Sequence, residues 1–300
     1  TSRGLGDVYK RQYVSTLRRL ADGSPIAELQ RQGITDWLAD GWQMPQVFHA
    51  KGRDGQTEIW GTLRLPRNFD PAKRYPVLEQ IYAGPHDAHV PKNFLPCDYF
   101  SDIFTTLGFV VVRIDGMGTA GRSKAFHDVC WKNLRDAGFP DRIAWMKAAA
   151  ATRPWLDLGR VGIFGWSAGG QNAMAALLWH NTFYKAAIAL CGCHDNRMDK
   201  LWWNEQFMGW PIDASYAQNS NAVNAHLLKG HLFLINGEDD DNVDPATTLQ
   251  VVRALIKAGK DFEQLYLPNT GHAISGPFVE RKMKDFFVRC LLGQTPPAWP

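Results

Sequence analysis

The sequence predicts an α/β architecture, with a mostly parallel central sheet and helices on both faces. Two observations carry that expectation. From Val47 onward, strand-like runs alternate with helix-like stretches, as β-α-β units require. Several of the strand runs are continuously apolar, among them Val110-Val111-Val112 and Leu232-Phe233-Leu234-Ile235. Such runs fit strands covered on both faces, not strands with one face in water.

The elements follow in order. Residues 1–12 (TSRGLGDVYKRQ) show no period that fits what comes next, and read as a non-native or disordered leader. Residues 13–46 hold a hairpin and a connector. Ala21-Asp22-Gly23-Ser24 supplies the turn, and Trp37 and Trp42 serve as packing anchors. Residues 47–294 form the α/β domain, with strands expected at 58–65, 77–82, 109–114, 161–164, 186–190, 231–235 and 262–267. Helices are expected at 142–151, 168–180, 245–258 and 277–292. Pro245 and Pro277 stand where first-turn prolines belong, and Gly259 where a helix stops. Residues 295–300 are proline-rich and read as an irregular tail.

Composition bounds the function. A chain of 300 residues, 45% hydrophobic and 21% charged, is an ordinary globular protein able to build its own core. A net charge of +3 is too small to argue for nucleic acid or an anionic membrane as partner. No apolar run approaches the roughly 20 residues that cross a bilayer. Five cysteines in a chain of this size read as mostly buried free thiols. Cys191 and Cys193 have one residue between them and no second pair, which is poor zinc spacing, so neither metal nor cofactor is expected.

The most informative stretch is Gly165-Trp166-Ser167-Ala168-Gly169, a G-x-S-x-G pattern between the strand at 161–164 and the helix starting at 168. In such an elbow the serine occupies a strained turn that lifts its oxygen out of the sheet, and the following helix aims its N–H groups at the reacting centre. Five residues alone also arise as a glycine-rich turn that merely packs a helix on a sheet. The strand before and the helix after favour the nucleophile and point to an α/β-hydrolase fold.

In that fold the acid follows a late strand and the histidine follows the last one. Asn236-Gly237-Glu238-Asp239-Asp240-Asp241 follows the strand at 231–235, and Pro268-Asn269-Thr270-Gly271-His272 follows the strand at 262–267. His272 alone among the histidines occupies a turn after the final strand. His86 and His89 lie near Tyr82 and His194 follows Cys193; packing is the simpler reading of each. Spacing does not separate Asp239, Asp240 and Asp241. The backbone N–H of Ala168 is one oxyanion donor, and the loop that starts at Tyr82 should supply the second.

Together these segments resemble the catalytic domain of the prolyl oligopeptidase family, nearest its dipeptidyl peptidase IV branch. The matching motifs are Tyr82-Ala83-Gly84-Pro85, Asp115-Gly116-Met117-Gly118-Thr119, Gly165-Trp166-Ser167-Ala168-Gly169-Gly170, Asp240-Asp241-Asn242-Val243 and Gly271-His272. The resemblance implies a serine peptidase with the triad Ser167, Asp240 and His272 and an oxyanion hole of Tyr82 and Ala168. It also implies substrate contacts at Asn242, Val243, Trp203 and Trp166. The expected partners are a peptide substrate and the family's N-terminal propeller, of which residues 13–46 would be the last hairpin and linker. A homodimer is an allowed assembly, and a soluble periplasmic or secreted protein follows from the resemblance. Two departures stand out. Ala168 occupies a position where the dipeptidyl peptidases carry tyrosine, and 193–199 lacks the aromatics of a tight proline pocket.

Two other functions fit part of the sequence. Trp202, Trp203 and Trp210 beside the pocket would suit a carboxylic-ester hydrolase acting on acyl or feruloyl esters with the same triad. The fold also occurs as a non-catalytic interaction module, against which stand three filled triad positions.

Overall fold

The computed structural model describes residues 14–31, 33–92 and 98–299. The leader at 1–12 lies outside the described residues. Strands β1 (Val14–Arg18) and β2 (Pro25–Arg31) pair as an antiparallel hairpin separate from the main sheet. Its turn is the expected one. Gly23 takes φ +70°, and the Asp22 carboxylate accepts hydrogen bonds from the Ser24 amide and hydroxyl. Within the connector, α1 (Thr35–Ala39) forms a single turn, and Trp37 packs on Trp42 with ring centres 6.1 Å apart.

The α/β unit runs β3 (Gln46–Lys51), β4 (Glu58–Arg64), β5 (Tyr75–Ile81), α2 (Tyr99–Thr105), β6 (Val110–Asp115), α3 (Lys124–His127), α4 (Phe139–Thr152), β7 (Leu156–Trp166), α5 (Ala168–Trp179), β8 (Tyr184–Leu190), α6 (Leu201–Met208), α7 (Ala214–Asn219), β9 (His231–Gly237), α8 (Pro245–Lys257), β10 (Glu263–Leu267) and α9 (Pro277–Phe287). Strands β3 to β10 make one sheet in the order β10-β9-β8-β7-β5-β6-β4-β3. Pairing is parallel from β6 through β10, and antiparallel where β4 meets β6 and β3 meets β4.

The apolar runs are split by the two-residue period of a strand between two cores. On one face Val110, Val112, Leu232 and Leu234 pack with Trp145 and Met146 of α4, Met174 of α5 and Val251 of α8. On the other, Val111, Phe233 and Ile235 pack with Phe104 of α2 and Met283, Phe286 and Phe287 of α9. Burial on both faces is why these strands read as continuous runs. β3 escapes the same reasoning because it is a mixed edge strand, Gln46-Val47-Phe48-His49-Ala50-Lys51, paired on one side with β4. The helix expected at 277–292 ends at Phe287 and continues as a π turn over Val288–Leu292. Cys130, Cys191 and Cys193 are buried free thiols and Cys290 is partly buried; Cys97 lies outside the described residues. Among the described residues no helix is long and apolar enough to cross a membrane.

One buried polar cluster braces the centre of the sheet. Glu79 of β5 and Arg142 of α4 have fully buried side chains 2.8 Å apart, and Tyr184 of β8 donates to the second Glu79 oxygen at 2.6 Å. Arg142 also donates to the Ala137 carbonyl at 2.7 Å. Removing one partner strands a buried charge, so Glu79→Ala should cost about 3–5 kcal/mol of folding stability. Urea unfolding measures it; a loss below about 1 kcal/mol would show that the cluster relaxes or takes up water.

Candidate active site

The strand register brings the candidate residues together. Ile81 is level with Gly165, Trp166 with Leu190, Leu190 with Ile235, and Gly237 with Leu267. Adjacent strands therefore end in line, and Tyr82, Ser167, Asp240 and His272 all leave the same carboxyl edge of the sheet.

Ser167 sits between β7 and α5 with φ 58° and ψ −122°, a conformation that costs a non-glycine residue about 1–3 kcal/mol. Its amide donates to the Leu190 carbonyl at 2.8 Å, which ties the elbow to β8. The glycines permit the close approach. A Cβ on Gly169 would lie 2.4 Å from the Ile81 carbonyl oxygen, and one on Gly170 2.4 Å from that of Leu190.

His272 and Asp240 form a direct pair, Nδ1 to Oδ2 at 2.8 Å. The other Asp240 oxygen accepts from the amides of Asn242 (3.0 Å) and Val243 (2.8 Å). Asp240 is buried whereas Asp239 and Asp241 are exposed, so the fold separates three acids that spacing alone does not. The loops are stitched together as well: Asp239 N–H donates to the Thr270 carbonyl at 2.9 Å, and Trp166 Nε1 donates to the His272 carbonyl at 2.9 Å. Cys191 adds a buried thiol beside this pair; its sulfur, an Asp240 oxygen and a His272 ring nitrogen all lie within 4.8 Å of one another. Burial, with the Asp240 carboxylate nearby, pushes the Cys191 thiol pKa far up and keeps it protonated.

The Tyr82 hydroxyl shares the cleft with the Ser167 side chain, and burial raises its pKa, so it stays a donor. The loop after it is pinned by Asn172 of α5, whose buried side chain accepts from the Ala83 amide at 3.0 Å. The Tyr82 ring packs against His89 (4.6 Å between centres) and His86 (5.7 Å). His86 Nδ1 accepts from Trp203 Nε1 at 3.2 Å, and burial lowers the His86 pKa, which favours the neutral ring.

A cleft of about 420 Å³ opens over these groups. Every candidate except the buried Asp240 lines it: Ser167, His272, Tyr82, Ala168, Asn242, Val243, Trp203 and Trp166. Trp166 has a second task in anchoring the histidine loop. His86, Cys193, Asp199, Lys200 and Trp202 also line the cleft; the sequence set Trp202 beside the pocket and His86 near Tyr82, and did not single out Cys193, Asp199 or Lys200 for it. Those three come from the segment between β8 and α6, which has no periodicity; the one available signal was the missing aromatics at 193–199.

The prolyl oligopeptidase family profile matches residues 98–294. The chain belongs to the prolyl oligopeptidase family. Dipeptidyl peptidase 8 of Homo sapiens is 30% identical over 245 residues, 78% of this chain and 26% of that protein. Prolyl endopeptidase FAP of Mus musculus is 29% identical over 243 residues, 78% of this chain and 31% of that protein. The solved structure of Porphyromonas gingivalis dipeptidyl peptidase 4 matches with a TM-score of 0.84 at 26% identity, over 93% of this chain and 41% of that one. These relatives put the chain on the dipeptidyl peptidase IV side of the prolyl oligopeptidase family, and it spans less than half the length of each.

Proposed function

We propose that this chain carries the catalytic centre of a serine peptidase. The observation behind the proposal is that His272, paired with the buried Asp240 at 2.8 Å, lines one cleft with Tyr82 and a strained Ser167. Asp240, held as an acceptor by two backbone amides, accepts the hydrogen bond of the Nδ1–H of His272, keeps that proton on the ring, and leaves Nε2 free to act as base. His272 removes the Ser167 proton as Oγ attacks the scissile carbonyl. The carbonyl oxygen becomes an oxyanion facing the Ala168 N–H and the Tyr82 hydroxyl. Collapse breaks the C–N bond, and His272 returns its proton to the leaving amine. Water, deprotonated by His272, then attacks the acyl-enzyme, and the carboxylic acid leaves as Ser167 recovers its proton.

A fluorophosphonate should label Ser167 in folded protein, and peptidyl arylamides should be hydrolysed. Labelling with turnover of acyl or feruloyl esters but of no amide would replace the peptidase with an esterase. Failure of labelling would leave a non-catalytic module. Tyr82→Phe should lower kcat by about 10²–10³, as for one oxyanion donor. A change in KM alone would remove Tyr82 from that role.

A further inference from the structure

The cleft wall next to the oxyanion donors holds a carboxylate that the triad does not use. Asp199, on the loop between β8 and α6, lines the cleft with Ala168, Cys193, Trp203 and Val243. Its side chain is only 8% exposed. Its carboxylate adds to burial in raising the pKa of the Tyr82 hydroxyl and of the Cys193 thiol. Lys200 Nζ holds one oxygen at 2.9 Å and also donates to the Asn242 carbonyl, so the ammonium is anchored on two sides.

We infer that Asp199 sets the specificity of this cleft, selecting substrates whose acyl-side residue at the scissile bond (P1) carries a neutral hydrogen-bond donor, an amide or a hydroxyl. This inference rests on the peptidase reading of the same site. A carbonyl held by Tyr82 and Ala168 has its P1 side chain beside this wall. Ala168 leaves room there, and the segment 193–199 brings Cys193 and Asp199 to the wall in place of aromatic side chains, Trp203 remaining beside them. An apolar P1 side chain would strip water from the carboxylate and give nothing back, which is the costly case for a buried polar group. A serine, threonine, asparagine or glutamine would donate to the free carboxylate electrons. A lysine or arginine would crowd a second cation against an ammonium that already neutralises Asp199.

The test is a matched series of peptidyl arylamides and peptidyl diphenyl phosphonates with Asn, Gln, Ser, Thr, Pro, Leu or Lys at P1. The phosphonates report acyl-side preference through the rate at which they inactivate Ser167, without requiring turnover. Wild type should favour the neutral donors over Pro and Leu by about tenfold to a hundredfold in both series. Asp199→Leu should reverse that order, and Asp199→Asn, which keeps the shape, should weaken it less. Fluorophosphonate labelling at the wild-type rate certifies that each variant is folded. A wild-type ranking led by Pro, Leu or Lys, or one unchanged in a normally labelled Asp199→Leu or Asp199→Asn protein, overturns the inference. Loss of every amide activity with the phosphonate ranking intact overturns the peptidase reading and leaves the role of Asp199 standing.

Discussion

Ser167→Ala is expected to lower kcat by about 10⁶, and His272→Ala by a similar factor. In the proposed mechanism the two side chains act as one proton-transfer unit, so the double variant should be scarcely worse than either single one. What survives should be the contribution of Tyr82, the Ala168 amide and substrate binding, roughly 10³–10⁴ over the uncatalysed reaction. Single-turnover assays on Ser167→Ala, with binding of an arylamide measured separately, check this. Multiplicative losses in the double variant would show that the two residues act in different steps. Retention of more than a few per cent of activity in Ser167→Ala would move the nucleophile elsewhere. The strain at Ser167 sharpens the expectation. The backbone keeps φ 58° through the Ser167–Leu190 bond whatever the side chain, so alanine removes the oxygen without rebuilding the elbow.

Asp240→Asn should cost about 10⁴ in kcat with little change in fold. The hydrogen bonds dictate why. The amides of Asn242 and Val243 both donate to Oδ1 of Asp240. An asparagine must therefore place its carbonyl oxygen there, which points its NH₂ at His272 Nδ1. That forces the proton to Nε2, the tautomer that cannot accept from Ser167. Asp239→Asn and Asp241→Asn are the controls. Both acids are exposed, and each change should alter kcat less than about threefold, within the range of ordinary surface substitutions. A loss under tenfold for Asp240→Asn, or a large loss in either control, would reassign the acid.

The sequence by itself determined the alternation of strands and helices, the mostly parallel character of the sheet, and the elbow; the strand order came from the fold. Strand and helix periods are local, and the G-x-S-x-G pattern is written within two residues of Ser167, although the crowding that demands glycine at 169 and 170 comes from the distant Ile81 and Leu190 carbonyls. It also placed His272, because a turn after the last strand is a position along the chain. Tertiary structure decided the rest. Asp240 differs from its acidic neighbours only in which way the loop faces, a matter settled by backbone bonds to Asn242 and Val243 and by the reach of His272. Asn172 and the Glu79–Arg142–Tyr184 cluster join positions 63 to 105 residues apart. The cleft wall of His86, Asp199 and Lys200 is built from loops with no repeating pattern. Periodicity records which face of an element is dry, whereas the partner of a buried charge is fixed only when distant segments close on one another and water leaves.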